Sequence, residues 1–175
     1  METLITSVQY QQQISKLALD ISKVHAEDSG MIVIGIQQGG VVIAESIVDE
    51  LRKLLPGVEI QDGQLDITFY RDDFRNAILA PDKMNLPFSI ENKVIVLVDD
   101  VLFTGRTIKA ALDALLDYGR PAKVELCVLV DRKEHRQFPI QADFVGQIIN
   151  TKRTDKVKMI RNNNGNLEVA LISEN

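Results

Sequence analysis

Five consecutive apolar residues, Val94 to Val98, run without a break into two acids, Asp99 and Asp100, and then through Thr104-Gly105 into an amphipathic segment. A run this short, this apolar and this rich in β-branched side chains is a strand buried on both faces rather than one side of a helix. The segment after it, Thr107 to Leu116, places Ile108, Ala111, Leu112 and Leu115 on one stripe, and Gly119 and Pro121 follow in the order that ends a helix. A strand without a polar face must be covered above and below, which restricts the chain to layered α/β architectures.

The same grammar recurs along the sequence. Val8 to Val24 carries Ile14, Leu17, Ala18 and Ile21 at helical spacing, with Gly30 as a stop, and Met31 to Ile36 is a second buried strand. After Gly39-Gly40, the residues Ala44, Ile47, Val48, Leu51 and Leu55 form another helical stripe, which Pro56-Gly57 ends. Leu65 to Tyr70 alternates as a half-buried strand would, whereas Arg71 to Glu91, broken by Pro81 and Pro87, reads as a long flexible loop. Val124 to Val130 and Ala142 to Ile149 read as further strands, and Val157 to Ile160 with Leu167 to Ile172 as a C-terminal β-hairpin around Asn164-Gly165. The expectation is an α/β fold with a central, mostly parallel sheet and helices on both faces, its ligands outside the carboxyl ends of the strands. A chain of 175 residues accommodates one such domain, spanning 1–175.

Composition narrows the class. Hydrophobic residues at 45% and charged residues at 26% exclude a disordered chain, and no internal repeat is visible. No apolar stretch is long enough to span a bilayer, and the first twenty residues hold Lys16, Asp20 and a run of Gln, so a cytoplasmic protein without membrane partners is expected. A net charge of −5 argues against a surface built throughout to hold polyanions. The single cysteine, Cys127, lies inside an apolar strand, where a buried inert thiol is the better reading.

The chemistry concentrates in Val98-Asp-Asp-Val-Leu-Phe-Thr-Gly-Arg-Thr107. Backbone N–H groups of Thr104, Gly105, Arg106 and Thr107 and both threonine hydroxyls can converge on an anion at the helix start, where the helix dipole favours negative charge. Gly105 lets the backbone approach closely. Asp99 and Asp100 would repel that anion unless its carrier also brings hydroxyls or a cation, and a phosphorylated sugar with Mg²⁺ does both. On its own, an Asp-Asp pair reads as an acidic turn capping a helix; the strand before it and Thr-Gly-Arg-Thr after it favour a ligand site. Neither G-x-x-x-x-G-K-[ST] nor G-x-G-x-x-G after a strand is present, which leaves nucleoside triphosphatase and nicotinamide readings weak.

A strand, two acids and a Thr-Gly loop opening a helix resembles the signature of the type I phosphoribosyltransferases. Asp-Asp-Val-Leu-Phe-Thr-Gly-Arg-Thr is most similar to its version in the PyrR family of bifunctional pyrimidine-operon regulators and uracil phosphoribosyltransferases. Asp66-Ile-Thr-Phe-Tyr-Arg-Asp-Asp73, Asp113-Ala-Leu, Gly119-Arg-Pro, Val128-Leu-Val-Asp-Arg132, His135-Arg136, Pro139-Ile140 and Ala142-Asp143 extend the resemblance, in order, over roughly residues 8 to 172. The resemblance implies the type I phosphoribosyltransferase fold and transfer of phosphoribose from 5-phosphoribosyl 1-pyrophosphate (PRPP) to uracil, giving UMP and pyrophosphate, with Mg²⁺ as cofactor. It implies that Asp99 and Asp100 hold the ribose hydroxyls, with the metal reached through water or substrate. Residues Val101, Leu102 and Phe103 carry the chain from the acids to Thr104, Gly105, Arg106 and Thr107, which hold the 5-phosphate. Gln37, Gln38, Gly39 and Gly40 would receive pyrophosphate. Tyr70, Arg71, Asp72 and Asp73 would form a mobile hood, with Arg71 stabilising the leaving group beside the acids. Val130, Asp131 and Arg132 would border the base. A homodimer or higher homo-oligomer is implied as well.

Two departures from the family's pattern have consequences. Gln37-Gln38-Gly39-Gly40 stands where the family has Lys-Thr-Arg-Gly, so two cations are lost beside the leaving pyrophosphate, although backbone N–H groups at a helix start still bind anions. Leu19, Asp20 and Gln141 stand where RNA-binding members are basic, which weighs against RNA as a partner. A basic run remains in Lys152, Arg153, Lys156, Lys158 and Arg161, readable equally as an RNA contact or a solvated face. Alternative readings are a hypoxanthine or guanine phosphoribosyltransferase and a UMP-sensing RNA-binding regulator with little catalysis. Arg71 with its neighbouring acids reads equally as a solvated cluster, Arg132, His135 and Arg136 as a polar connection, and His25 as structural or exposed.

Overall fold

The computed structural model describes residues 1–68, 70 and 84–173. Nine strands and three α-helices are seen among them: β1 (Glu2–Ile5), α1 (Ser7–His25), β2 (Gly30–Ile36), α2 (Gly39–Leu54), β3 (Glu59–Leu65), β4 (Met84–Asn85), β5 (Val94–Leu102), α3 (Arg106–Tyr118), β6 (Lys123–Asp131), β7 (Phe144–Ile148), β8 (Lys156–Arg161) and β9 (Leu167–Ile172). A six-stranded sheet is ordered β4-β3-β2-β5-β6-β7, and a three-stranded sheet is ordered β1-β9-β8. In the larger sheet β2 pairs parallel with β3 and β5, β5 with β6, and β6 with β7, while β4 runs antiparallel at the edge.

The unbroken apolar runs have the expected cause. Alternate residues of β2 and β5 point to opposite faces. Met31, Val33, Val96 and Val98 join one core with the α1 and α2 stripes, Ile14, Leu17, Ile21, Ile43, Ile47 and Leu51. Ile32, Ile34, Ile95 and Leu97 join a second core with Ile108, Ala111 and Leu115 of α3. Helix α1 begins with a capping box in which Thr6 and Gln9 satisfy each other's backbone N–H groups.

Two expectations are corrected, and one strand was not foreseen. The strand placed at Leu65 to Tyr70 lies one step earlier, at Glu59–Leu65, and only Leu65 is shared. Its sequence is polar and holds Gly63, but register pairing of all seven residues with β2 outweighs local propensity. The loop placed at Arg71 to Glu91 contains β4, and Leu86 and Ile90 are buried in the second core; residues 71–83 lie outside the described residues. Strand β1, which carries no strong alternation, forms because it pairs antiparallel with β9.

The hairpin is as expected. Strands β8 and β9 pair antiparallel from Lys156↔Ile172 to Arg161↔Leu167, and the Asn162 side chain accepts the N–H groups of Asn164 and Asn166 to shape the turn.

Candidate functional site

The chain leaves β2 for α2 and β3 on one side, and returns to β5 for α3 and β6 on the other. The sheet order therefore reverses between β2 and β5, and the segments leaving their carboxyl ends part to open a crevice. Those segments are Gln37–Gly40 and Asp99–Thr107, so topology brings together two motifs about sixty residues apart in sequence.

Asp99 is buried and Asp100 half-buried near the end of β5. The Asp100 N–H donates to Asp99 Oδ1 at 3.0 Å and the Val101 N–H to Asp100 Oδ1 at 2.8 Å, so each carboxylate is oriented by the backbone that follows it. The Gln37–Gly40 loop presses directly on this pair. A Cβ added at Gly39 would lie 2.3 Å from Asp100 Oδ2, a contact that only glycine permits. Gln37, Gln38, Gly39, Thr68, Asp99, Asp100 and Thr107 contribute to the lining of one cavity of about 310 Å³. The peptide between Gln37 and Gln38 is cis.

Both helices that open onto this cavity start without a side-chain cap, in contrast to α1. Gln38 precedes α2 and Gly105 precedes α3, neither donating or accepting a side-chain capping bond, and neither first turn contains an acid. Helix N-termini left in this condition present N–H groups and positive potential to an anion. Gly105 sits at φ +93°, a conformation that L side chains rarely adopt, and this lets the chain turn from β5 into α3.

The Phe103–Thr107 turn is fastened from the segment after β6. Gln137 and Phe138 both donate backbone N–H groups to Thr104 O, at 2.9 and 3.2 Å, and the Arg132 N–H reaches Leu102 O at 2.9 Å. The Arg136 guanidinium donates to Phe103 O, to Ile140 O and to the buried Asp131 carboxylate. The Arg106 guanidinium lies 5.3 Å from the Phe138 ring centroid. Arg136 is thus a positioning residue for the turn. The sequence placed it in a segment resembling the family but gave it no role beyond a polar connection, because its three acceptors are scattered between Phe103 and Ile140.

Val130, Asp131 and Arg132 are buried at the end of β6. Arg132 donates to Thr151 Oγ1 and to Lys152 O, both at 2.8 Å, and stacks over Phe103 at 3.9 Å from the ring centroid. Burial lowers its pKa from the ordinary arginine value, though the group stays charged. Phe103 thereby joins the end of β6 to the turn after β5, and the His135 ring meets its edge at 5.3 Å between centroids. Tyr70 is exposed; partial burial first, then the negative charge of Asp117, holds its pKa above the usual value. The hood expectations for Arg71, Asp72 and Asp73 lie outside the described residues.

Outside the crevice, two side chains are placed as the sequence suggests. Cys127 is fully buried, and burial pushes its thiol pKa far up. His25 is structural and not exposed: it is buried between Asp28 and Glu125, each 2.6 Å from a ring nitrogen. Among the described residues no cluster of three or more His, Cys, Asp or Glu could hold a metal ion, and no helix is long and apolar enough to cross a membrane.

A family model described as the phosphoribosyl transferase domain matches residues 6–160. The chain belongs to the phosphoribosyl transferase family. Within it, the chain is 47% identical over 146 residues to the bifunctional protein PyrR of Geobacter sp. strain M21, covering 82% of this chain and 81% of that one. It is 42% identical over 179 residues to the bifunctional protein PyrR of Actinobacillus succinogenes, covering 98% of each. Among solved structures, the hypoxanthine phosphoribosyltransferase of Trypanosoma cruzi superposes with a TM-score of 0.74 at 17% identity, covering 100% of this chain and 98% of that one. A hypoxanthine phosphoribosyltransferase from Staphylococcus aureus superposes with a TM-score of 0.70 at 21% identity, covering 87% and 80%. These structural likenesses establish that the phosphoribosyl transferase fold is shared.

Proposed function

We propose that this phosphoribosyl transferase is a uracil phosphoribosyltransferase, taking PRPP and uracil to UMP and pyrophosphate. The observation that carries it is the meeting of an acid pair and two uncapped helix starts at the β2–β5 switch point. Such a site suits a ligand with a diol in the middle and an anion at either end. Asp99 and Asp100 accept hydrogen bonds from the ribose hydroxyls, the Thr104–Thr107 turn holds the 5-phosphate, and Gln37–Gly40 faces the pyrophosphate. Residues 130–132 border the base, and Tyr70 and Arg71 to Asp73 form the hood. The choice of uracil over a purine rests on the identities of 42–47% to PyrR proteins, against 17–21% to the hypoxanthine enzymes.

The residues present fit Mg²⁺. Two adjacent carboxylates offer hard oxygen donors but too few for a complete shell, so substrate oxygens and water would complete it. When bound, the ion would neutralise charge on the leaving pyrophosphate.

A uracil nitrogen attacks C1 of the phosphoribosyl group as the bond to pyrophosphate breaks, through an oxocarbenium-like state. The protein's part is to align donor and base and to keep water from C1. Arg136 serves alignment by fixing the turn that holds the 5-phosphate. The two apolar cores share one sheet, which supports reading residues 1–175 as one domain, here taken as cytoplasmic and homo-oligomeric.

Incubating the purified protein with PRPP, Mg²⁺ and each base in turn tests the reading. UMP and pyrophosphate should form with uracil; product with hypoxanthine or guanine and none with uracil overturns the base. A second reading, UMP-dependent RNA binding, is favoured by Lys152, Arg153 and Lys156, all exposed. A gel shift with the leader RNA of its own pyrimidine operon, showing no uridine-nucleotide dependence at low salt, removes it.

A further inference from the structure

On the far side of Asp100 lies a second cavity, of about 350 Å³, which shares Gln38, Gly39 and Asp100 with the first. The two therefore form one cleft across the acid pair. The opposite wall of the second cavity is β8, where four consecutive residues, Lys158 to Arg161, line it. Successive strand residues point to opposite faces, so a lining made of four in a row means that the strand meets the cavity along its edge. Among the described residues β8 pairs only with β9, which leaves its other edge unpaired within the sheet and turned to the cavity. It brings two cations, Lys158 and Arg161.

The loop across the cavity has none. Gln37 and Gln38 are neutral, and Gly39 and Gly40 offer only backbone. A pyrophosphate seated against Asp100 would meet two carboxylates and one helix start from these elements, so apart from the Mg²⁺ and Arg71 proposed above little positive charge faces an anion of that valence. The Lys158 side chain is exposed and makes no hydrogen bond or ion pair among the described residues. Arg161 is held by a 2.8 Å bond from one guanidinium nitrogen to Gly165 O, which orients the group and leaves most of its donors for other acceptors.

We propose that Lys158 and Arg161 bind the pyrophosphate group of the donor from the hairpin, supplying the charge that the Gln37–Gly40 loop lacks. This inference rests on the PRPP reading above. It also divides the basic run of the sequence: Lys158 and Arg161 belong to the cleft, and Lys152, Arg153 and Lys156 do not line it.

The test compares three ligands on the whole protein by calorimetry with Mg²⁺: PRPP, inorganic pyrophosphate, and UMP, which keeps the 5-phosphate and the diol but lacks pyrophosphate. The variant K158Q/R161Q should lose roughly ten- to a hundredfold in affinity for PRPP and for pyrophosphate, the range of one charged hydrogen bond, with UMP held within about twofold. K158R alone should restore near-native affinity. Because R161Q also removes the bond to Gly165, the single variant K158Q, with its melting temperature as a control, carries the test if the hairpin is unsettled. Equal weakening of all three ligands, or unchanged PRPP binding in K158Q, overturns the proposal. A wild-type protein that binds UMP but shows no gain from pyrophosphate also overturns it while sparing the nucleotide site. Binding of neither PRPP nor UMP by the wild type defeats the donor reading itself, and this inference with it.

Discussion

Replacing Arg136 with methionine tests whether the phosphate turn is held from outside. The Arg136 and Asp131 side chains are 15% and 6% exposed, so the substitution leaves a carboxylate charged and buried with its partner gone. Breaking a buried pair from one side costs about 3–5 kcal/mol, and the carbonyls of Phe103 and Ile140 lose their donor at the same time. A domain of ordinary stability, about 5–15 kcal/mol, would survive this with a large shift. In urea, with a slope of about 2 kcal/mol/M, the unfolding midpoint should fall by roughly 2 M. Affinity for UMP should fall as well, at temperatures where R136M is still folded, because the turn carrying Thr104 to Thr107 is no longer fastened. Adding Asp131→Asn removes the orphaned charge, and the double variant R136M/D131N should recover about 2 kcal/mol relative to R136M without recovering UMP affinity. A midpoint for R136M within about 0.5 M of wild type, or a double variant no more stable than R136M, would refute the reasoning.

Gly39→Ala places a methyl 2.3 Å from Asp100 Oδ2, so the acid must move; UMP affinity should drop at least tenfold, with stability changed by less than about 1 kcal/mol. Unimpaired nucleotide binding in G39A would mean that Asp100 is not where the diol is held. Gly105→Ala brings a methyl to 3.3 Å from Ile140 Cδ1, a tight contact with the end of a flexible side chain, so its cost of about 1–2 kcal/mol should come mainly from the backbone at φ +93°, measurable by urea denaturation. Burial raises the Cys127 pKa, so almost no thiolate exists at pH 8; a thiol reagent should leave the folded protein unlabelled and react with its one cysteine in denaturant. Rapid labelling of the native protein would show that the strand opens.

The legible parts of the site were those encoded within a few residues. Asp99, Asp100 and the Thr104–Thr107 turn stand between a buried strand and an amphipathic helix, and the structure sets them at the carboxyl end of β5 and the start of α3. Gln37–Gly40 was equally local, running from the end of β2 into the first residues of α2. β3 was misplaced because its polar, glycine-containing sequence carries no alternation, and because Asp66 and Ile67, which suggested a strand, belong to the turn beyond it. Arg136 was undervalued because a hydrogen-bonding partner far along the chain leaves no mark in the spacing.

What the sequence by itself determined was the three helices, most of the strands, the layered α/β class and the local motif proposed to bind a phosphorylated sugar. Apolar period and breakers are properties of neighbouring residues, so they survive without a fold. Only the tertiary structure decided that β2 and β5 are adjacent, that Gly39 rests on Asp100, and that the β8 edge closes the cleft with Lys158 and Arg161. Those relations depend on which surfaces bury one another once the chain has compacted, and residues about 120 positions apart share no local signal that could announce them.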